Sequence, residues 1–190
     1  MIPEILNREI LHQGYLRVER LRVRLASGAV VVREVERHGD AVAVLPFDQT
    51  AGIALIVRLF RVTAFDRLGL TTLDEACAGM IDAGETAEAA VRREAMEELG
   101  VRLRTLDHIG RVWPSPGVID EQVDLFLAPY EGADRVAQGG GLACENEDIT
   151  VIARPLTDLA ADADAGAIID MKLLTLVQTL RIKRPDLFSA

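Results

Sequence analysis

Glu94, Glu97 and Glu98 are spaced so that a helix would carry all three carboxylates on one face. Like charges at i, i+3 and i+4 are destabilising unless something compensates, and Arg93 can reach Glu97 but cannot neutralise the set. Six acidic residues against two arginines between Asp82 and Glu98 leave a local charge of −4. Such a face is either a solvated acidic surface or a site for a divalent cation, because hard ions such as Mg²⁺ choose carboxylate oxygens and retained water. In the second case the ion supplies the positive charge that a phosphate substrate needs.

These residues sit on the clearest helix of the chain, Thr86–Leu99, which is rich in Ala and Glu and stops at Gly100, a preferred helix terminator. Its opposite side carries Ala87, Val91, Ala95 and Leu99, which suits packing on a sheet. The sheet is expected from two dense apolar runs, Ala41–Phe47 and Ile53–Phe60, and from strands at Val101–Trp113, Gln122–Tyr130 and Ile149–Ala153. Helical patterns follow at Leu156–Ala163 and Ile168–Arg184, the second placing Ile169, Leu173, Leu176, Val177 and Leu180 on one side. Ahead of all this, residues 15–25 and 29–36 alternate apolar and polar side chains about a Ser27-Gly28 turn, an antiparallel hairpin. The order predicts an α+β or mixed α/β/α sandwich over 40–190, with a small β appendage at 1–39.

Composition bounds the partners. The 190 residues carry 30 acidic against 21 basic side chains, a net −9, which repels a nucleic-acid backbone and an anionic membrane surface alike. No apolar stretch approaches the roughly 18 residues that span a bilayer. Glu4, Arg8 and Glu9 stand where a signal peptide needs an apolar run. Cys77 and Cys144 show no metal-binding spacing. The expectation is a reduced, cytoplasmic protein whose core is Leu, Val, Ile and Ala, aromatic residues being only 4%.

The carboxylate cluster belongs to a longer pattern. Gly79 is followed after five residues by Glu85, and after seven more by Arg93-Glu94-Ala95-Met96-Glu97-Glu98-Leu99-Gly100-Val101. This resembles the complete box of the Nudix hydrolases, G-x5-E-x7-R-E-U-x-E-E-x-G-U with U aliphatic, and departs from it only in the small Ala95. Seven fixed residues of that kind coincide by chance in a chain this long less than about once in a million. The resemblance implies an α/β/α sandwich, hydrolysis of a diphosphate, and Mg²⁺ or Mn²⁺ as cofactor. It makes Glu94 and Glu98 the principal metal ligands with the carbonyl of Ala78, has Glu97 assist, and leaves Arg93 and Glu85 to brace the loop.

Further stretches resemble one branch of that family. Ser115-Pro116-Gly117 with Glu121 is similar to an element of the ADP-ribose and sugar-nucleotide pyrophosphatases. Cys77-Ala78-Gly79-Met80-Ile81-Asp82, the glycines 139–141 followed by Glu145, Glu147 and Asp148, and Asp170-Met171-Lys172 resemble the GDP-mannose pyrophosphatases. That likeness implies nucleotide-sugar contacts at Tyr15, Arg33, Glu34, Arg61, Ala78, Gly79, Glu121 and Lys172. It also implies a loop carboxylate at Glu147, preferred to Glu145, acting as general base or extra metal ligand. The implied activity is cleavage of GDP-mannose to GMP and mannose 1-phosphate. The alternatives are ADP-ribose hydrolysis to AMP and ribose 5-phosphate, or a nucleotide-binding module without turnover. The branch further implies a homodimer built through the N-terminal strands.

Overall fold

The computed structural model describes residues 1–142 and 148–188. They form two compact units, residues 1–40 with 112–123, and residues 41–111 with 124 onward.

The first unit is a three-stranded antiparallel sheet of β1 (Glu4–Gln13), β2 (Arg17–Arg24) and β3 (Val30–Arg37), in that order. The expected hairpin is β2–β3, turning at Gly28 with a φ of 89°. β1 is an addition to the sequence reading. Its pairing with β2 slips between Ile5 and Asn7 and again between Ile10 and His12, and each slip breaks the alternation that betrays a strand. Within these strands only Glu19 and Leu21 are buried. Glu19 accepts hydrogen bonds from Arg37 at 2.9 and 3.0 Å and from Arg17, and the Arg37 bond above all holds its carboxyl below the usual range. Residues 112–123 join β3 through Glu36, whose N–H donates to Val118 O at 2.8 Å and whose carbonyl accepts from Asp120 at 3.1 Å.

The second unit begins with the hairpin β4 (Ala41–Asp48) and β5 (Ile53–Leu59). Then come α1 (Val62–Leu68), β6 (Leu73–Glu75), β7 (Cys77–Met80) and α2 (Ala87–Leu99). β8 (Asp107–Val112), β9 (Val123–Pro129), β10 (Thr150–Pro155), α3 (Leu156–Asp164) and α4 (Met171–Lys183) complete it. The mixed sheet runs β10-β5-β4-β9-β8. β4 and β5 pair directly only beside their turn, Phe47 with Ala54 and Asp48 with Ile53. Further along, β5 pairs with β6 and β4 with β7, so the β6–β7 segment fills the gap where the hairpin parts.

Helices cover both faces, which is why β4 and β5 read as unbroken apolar runs. Val42, Val44, Leu55, Val57 and Phe126 pack with Ala90, Val91, Ala95 and Leu99 of α2. The alternate strand residues Ala43, Leu45 and Ile56 are equally buried on the other face, where α4 meets β4 through a stripe of Leu173, Leu176, Val177 and Leu180. The α/β/α sandwich is therefore present. Boundaries shift locally: the strand expected over 101–113 is only Asp107–Val112, and the last helix starts at Met171, so Ile169 is exposed and Ile168 is buried instead. Among the described residues no helix is long and apolar enough to cross a membrane.

Candidate active site

α2 is fixed at both ends by its own sequence. Thr86 caps the start by accepting the Ala89 N–H at 3.2 Å, and Gly100 ends it in the left-handed region at φ 68°. The glycines at 139–141 then dock on that end: Gly140 N–H donates to Glu98 O at 2.8 Å and Gly141 N–H to Glu97 O at 3.1 Å. A side chain at Gly139, itself at φ 74°, would run into the Glu98–Leu99 backbone, so this approach requires glycine.

The three glutamates stand at graded depth. Glu98 is buried at 4% exposure and accepts the Ala78 N–H at 3.1 Å. Glu94 is nearly as enclosed, and its carboxylate occupies the space that a side chain at Gly79 would fill. Arg93 donates to Glu94 at 2.6 Å and to Glu97 at 3.2 Å. The same guanidinium bonds Glu85 at 3.0 and 3.2 Å and the Met80 carbonyl at 2.9 Å, so it ties the loop before α2 to the helix. That hydrogen bonding from Arg93 is the chief reason the Glu85 carboxyl is held below its ordinary value. Ala78, Gly79, Glu94 and Glu98 thus come together. Among the described residues no three His, Cys, Asp or Glu side chains converge as a ready cage for an ion.

Arg61 and Lys172 also come together, on a residue the sequence reading missed. Glu75, the last residue of β6 and 4% exposed, accepts from Arg61 Nε at 2.7 Å and Nη2 at 3.2 Å and from Lys172 Nζ at 3.2 Å. Asp170 takes Lys172 Nζ at 2.7 Å, caps α4 through the Leu173 N–H at 3.0 Å, and accepts the Ala76 N–H at 3.2 Å. Burial pushes the Glu75 carboxyl up, but Arg61 and Lys172 outweigh it and hold the group below its ordinary range. For Lys172, burial favours the neutral amine, and the charges of Asp170 and Glu75 override it, raising the value. For Arg61, burial is likewise outweighed, first by Glu75 and then by the fields of Glu98 and Asp170. Asp170 stood inside the helix expected from Ile168, and its capping position shows only once α4 begins at Met171. Glu75 carried none, lying 14 and 97 residues from its two cations.

The remaining expected contacts belong to the first unit. Tyr15 is 99% exposed at the turn between β1 and β2. Arg33 donates to the Val32 carbonyl at 2.8 Å, and Glu34 accepts from Arg20 at 3.2 Å. Glu121 lies 2.8 Å from His38 Nδ1, while its neighbour Asp120 accepts from Arg37 at 3.0 Å and from the His38 N–H at 2.8 Å. Glu145 and Glu147 lie outside the described residues.

Comparison with known proteins agrees with this geometry. A solved structure described as an ADP compounds hydrolase superposes with a TM-score of 0.78 at 19% identity, covering 98% of this chain and 96% of its own, which is a likeness of fold. The GDP-mannose pyrophosphatase of Cronobacter sakazakii is 33% identical over 187 residues, 95% of each chain. The ADP-ribose pyrophosphatase of Escherichia coli K12 is 35% identical over 154 residues, 78% of this chain and 73% of that one. A family model for the NUDIX domain matches residues 37–170, spanning the strand, the glutamate helix and the Asp170 cap. With that match added to the box and the sandwich that presents it, the chain belongs to the Nudix hydrolase family and is a pyrophosphatase-type enzyme.

Proposed function

We propose that this enzyme is a Mg²⁺-dependent nucleotide-sugar pyrophosphatase acting on GDP-mannose, with water cleaving the diphosphate to GMP and mannose 1-phosphate. The observation that carries it is the juxtaposition along Glu75–Ala78 of two unlike groups. One is the cation pair of Arg61 and Lys172, and the other is the carboxylate pair of Glu94 and Glu98, of which Glu98 holds the Ala78 N–H and extends its field to Arg61. A diphosphate ester needs both, cations against its own charge and hard oxygen donors for a divalent ion.

The residues fit such an ion. The donors are carboxylates and a carbonyl, and Gly79 gives the Glu94 carboxylate room to lie against the loop that carries Ala78. Glu94, Glu98 and the Ala78 carbonyl would hold it, with Glu97 assisting, and when bound it would neutralise phosphate charge and lower the pKa of water. The chain's own groups do the rest. Arg61 and Lys172 receive phosphate oxygens and orient the diphosphate. Arg93 keeps the entry loop docked on α2. Glu147 takes the proton from the attacking water as general base. For Tyr15, Arg33, Glu34 and Glu121, all of the first unit, the role in holding base and sugar rests on the family likeness alone.

ADP-ribose is the second reading, favoured by the Escherichia coli relative and by the Ser115-Pro116-Gly117 element. The fuller coverage of the Cronobacter relative favours GDP-mannose. A panel of both substrates at matched concentration with Mg²⁺ tests the assignment. Faster turnover of ADP-ribose would reverse it, and turnover surviving excess EDTA would remove the metal. The N-terminal appendage, residues 1–39 with exposed Ile5, Ile10, Val30 and Val32, is proposed as the dimerising piece, since a thin sheet with so little interior is marginal alone. Light scattering that gives a monomer at micromolar concentration would refute the homodimer.

A further inference from the structure

We infer that Glu75 is a positioning residue for the diphosphate, a fixed internal anion that holds the Arg61 guanidinium and the Lys172 ammonium side by side as one two-cation receptor. This rests on the nucleotide-diphosphate reading above and assigns a role to a residue outside the metal set.

Arg61 carries five N–H groups and gives Glu75 one on Nε and one on Nη2, which leaves three. Lys172 carries three and gives one each to Glu75 and Asp170, which leaves one. Among the described residues the spare donors have no other hydrogen-bond partner, so both cations are anchored yet able to bind an anion.

The charges of Arg61 and Lys172 against Glu75 and Asp170 sum to zero, so the quartet carries no uncompensated buried charge. Without the anchor, two of the most flexible side chains would each pay rotamer entropy to meet a substrate; with it, that ordering is already done.

Glu75 is locked in register opposite Val57 on β5, the Ala76 N–H binds Asp170 at the head of α4, and the Ala78 N–H binds Glu98 on α2. One short segment therefore sets the cation pair and the glutamate helix relative to each other. An ion pair serving the fold alone would need one cation; Glu75 gathers two from distant parts of the chain.

The experiment compares the full-length wild type with Glu75→Gln, the double variant Arg61→Gln/Lys172→Gln, and the triple variant. Steady-state kinetics on GDP-mannose and ADP-ribose with Mg²⁺, calorimetric titration with inorganic pyrophosphate, and Tm are the readouts. Glu75→Gln is expected to lower kcat about 10- to 100-fold, the range seen when a residue that orients a functional group is removed. Its pyrophosphate affinity should change less than about threefold, because the lost ordering of the two cations and the quartet's gain to +1 oppose each other. In the double-variant background the same change should cost less than about twofold, since Glu75 acts through the two cations. Any one of three results overturns the inference: wild-type kcat in Glu75→Gln, parallel loss of kcat, pyrophosphate binding and Tm, or an undiminished effect in the triple variant. Should Glu75→Gln not fold, Glu75→Asp keeps the charge at shorter reach, and full turnover in that variant is equally fatal. If the wild type hydrolyses neither nucleotide, the functional reading fails separately and pyrophosphate titration decides the receptor. Binding lost in the double variant but retained in Glu75→Gln supports it, and binding indifferent to every substitution ends it.

Discussion

Replacing Gly79 by alanine should disable the enzyme while leaving the fold untouched. The backbone at Gly79 lies outside the left-handed region, so alanine is conformationally acceptable there. Its Cβ, however, would overlap the Glu94 carboxylate, which must withdraw by more than about 1 Å to restore ordinary van der Waals separation. A displacement of that size at a reacting centre costs about 100-fold. The stability terms nearly cancel. Removing glycine from the unfolded chain favours the variant by about 0.4–1 kcal/mol. Loss of the partly exposed Arg93–Glu94 pair costs up to about 1 kcal/mol. A net change within about 1 kcal/mol moves Tm by no more than about 4 °C for a chain of this length. The assay is kcat with saturating Mg²⁺ beside a calorimetric Tm. Activity within threefold of wild type would refute the packing argument. A Tm fall beyond 10 °C would show that Gly79 serves the strand rather than the carboxylate.

Three further outcomes are expected. Glu98→Gln keeps an acceptor for the Ala78 N–H, so Tm should hold while kcat falls by at least about 100-fold; wild-type turnover would remove Glu98 from the metal set. Asp170→Ala removes the α4 cap and orphans the buried Ala76 N–H, which costs about 2–4 kcal/mol and about 4–16 °C in Tm, read by calorimetry. Asp134 is held below the ordinary aspartate value, first by its hydrogen bond from Arg104 and then by the Glu131 N–H. A depressed folded value means its stabilisation is present above the ordinary value and fades as pH falls toward the lowered one. Tm measured from pH 6 to pH 2.5 should therefore decline less steeply for Asp134→Asn, and identical slopes would contradict the pairing.

Wherever chemistry lay close together along the chain it was legible. Glu94, Glu97 and Glu98 share a helix face by spacing alone, and Val91, Ala95 and Leu99 showed which side packs. What escaped was set by pairing across long separations. Glu75 gains its meaning only when α4 brings Lys172 back, and Asp120 only when its segment meets Arg37 and His38. β1 escaped because its two register slips scramble a period-2 pattern. α1 escaped because it buries no residue and has no capping side chain, so it offers neither a stripe nor a start signal. Glycine at 139–141 was visible as composition, yet its docking on α2 depends on backbone approach that composition does not encode.

The segment from Glu75 to Ala78 also decides where this chain can change length. Its side chains and N–H groups address three other elements within four residues, and a strand reverses its faces when it loses or gains one residue. A single deletion between Leu73 and Met80 would turn Glu75 away from its cations or present the wrong N–H to Glu98. The turn at Asp48–Gly52, by contrast, connects two strands at the surface and can lengthen without disturbing either partner set. Insertions and deletions among relatives should therefore collect at such turns and spare these eight residues, making the segment a ruler against which the family's variable parts are measured.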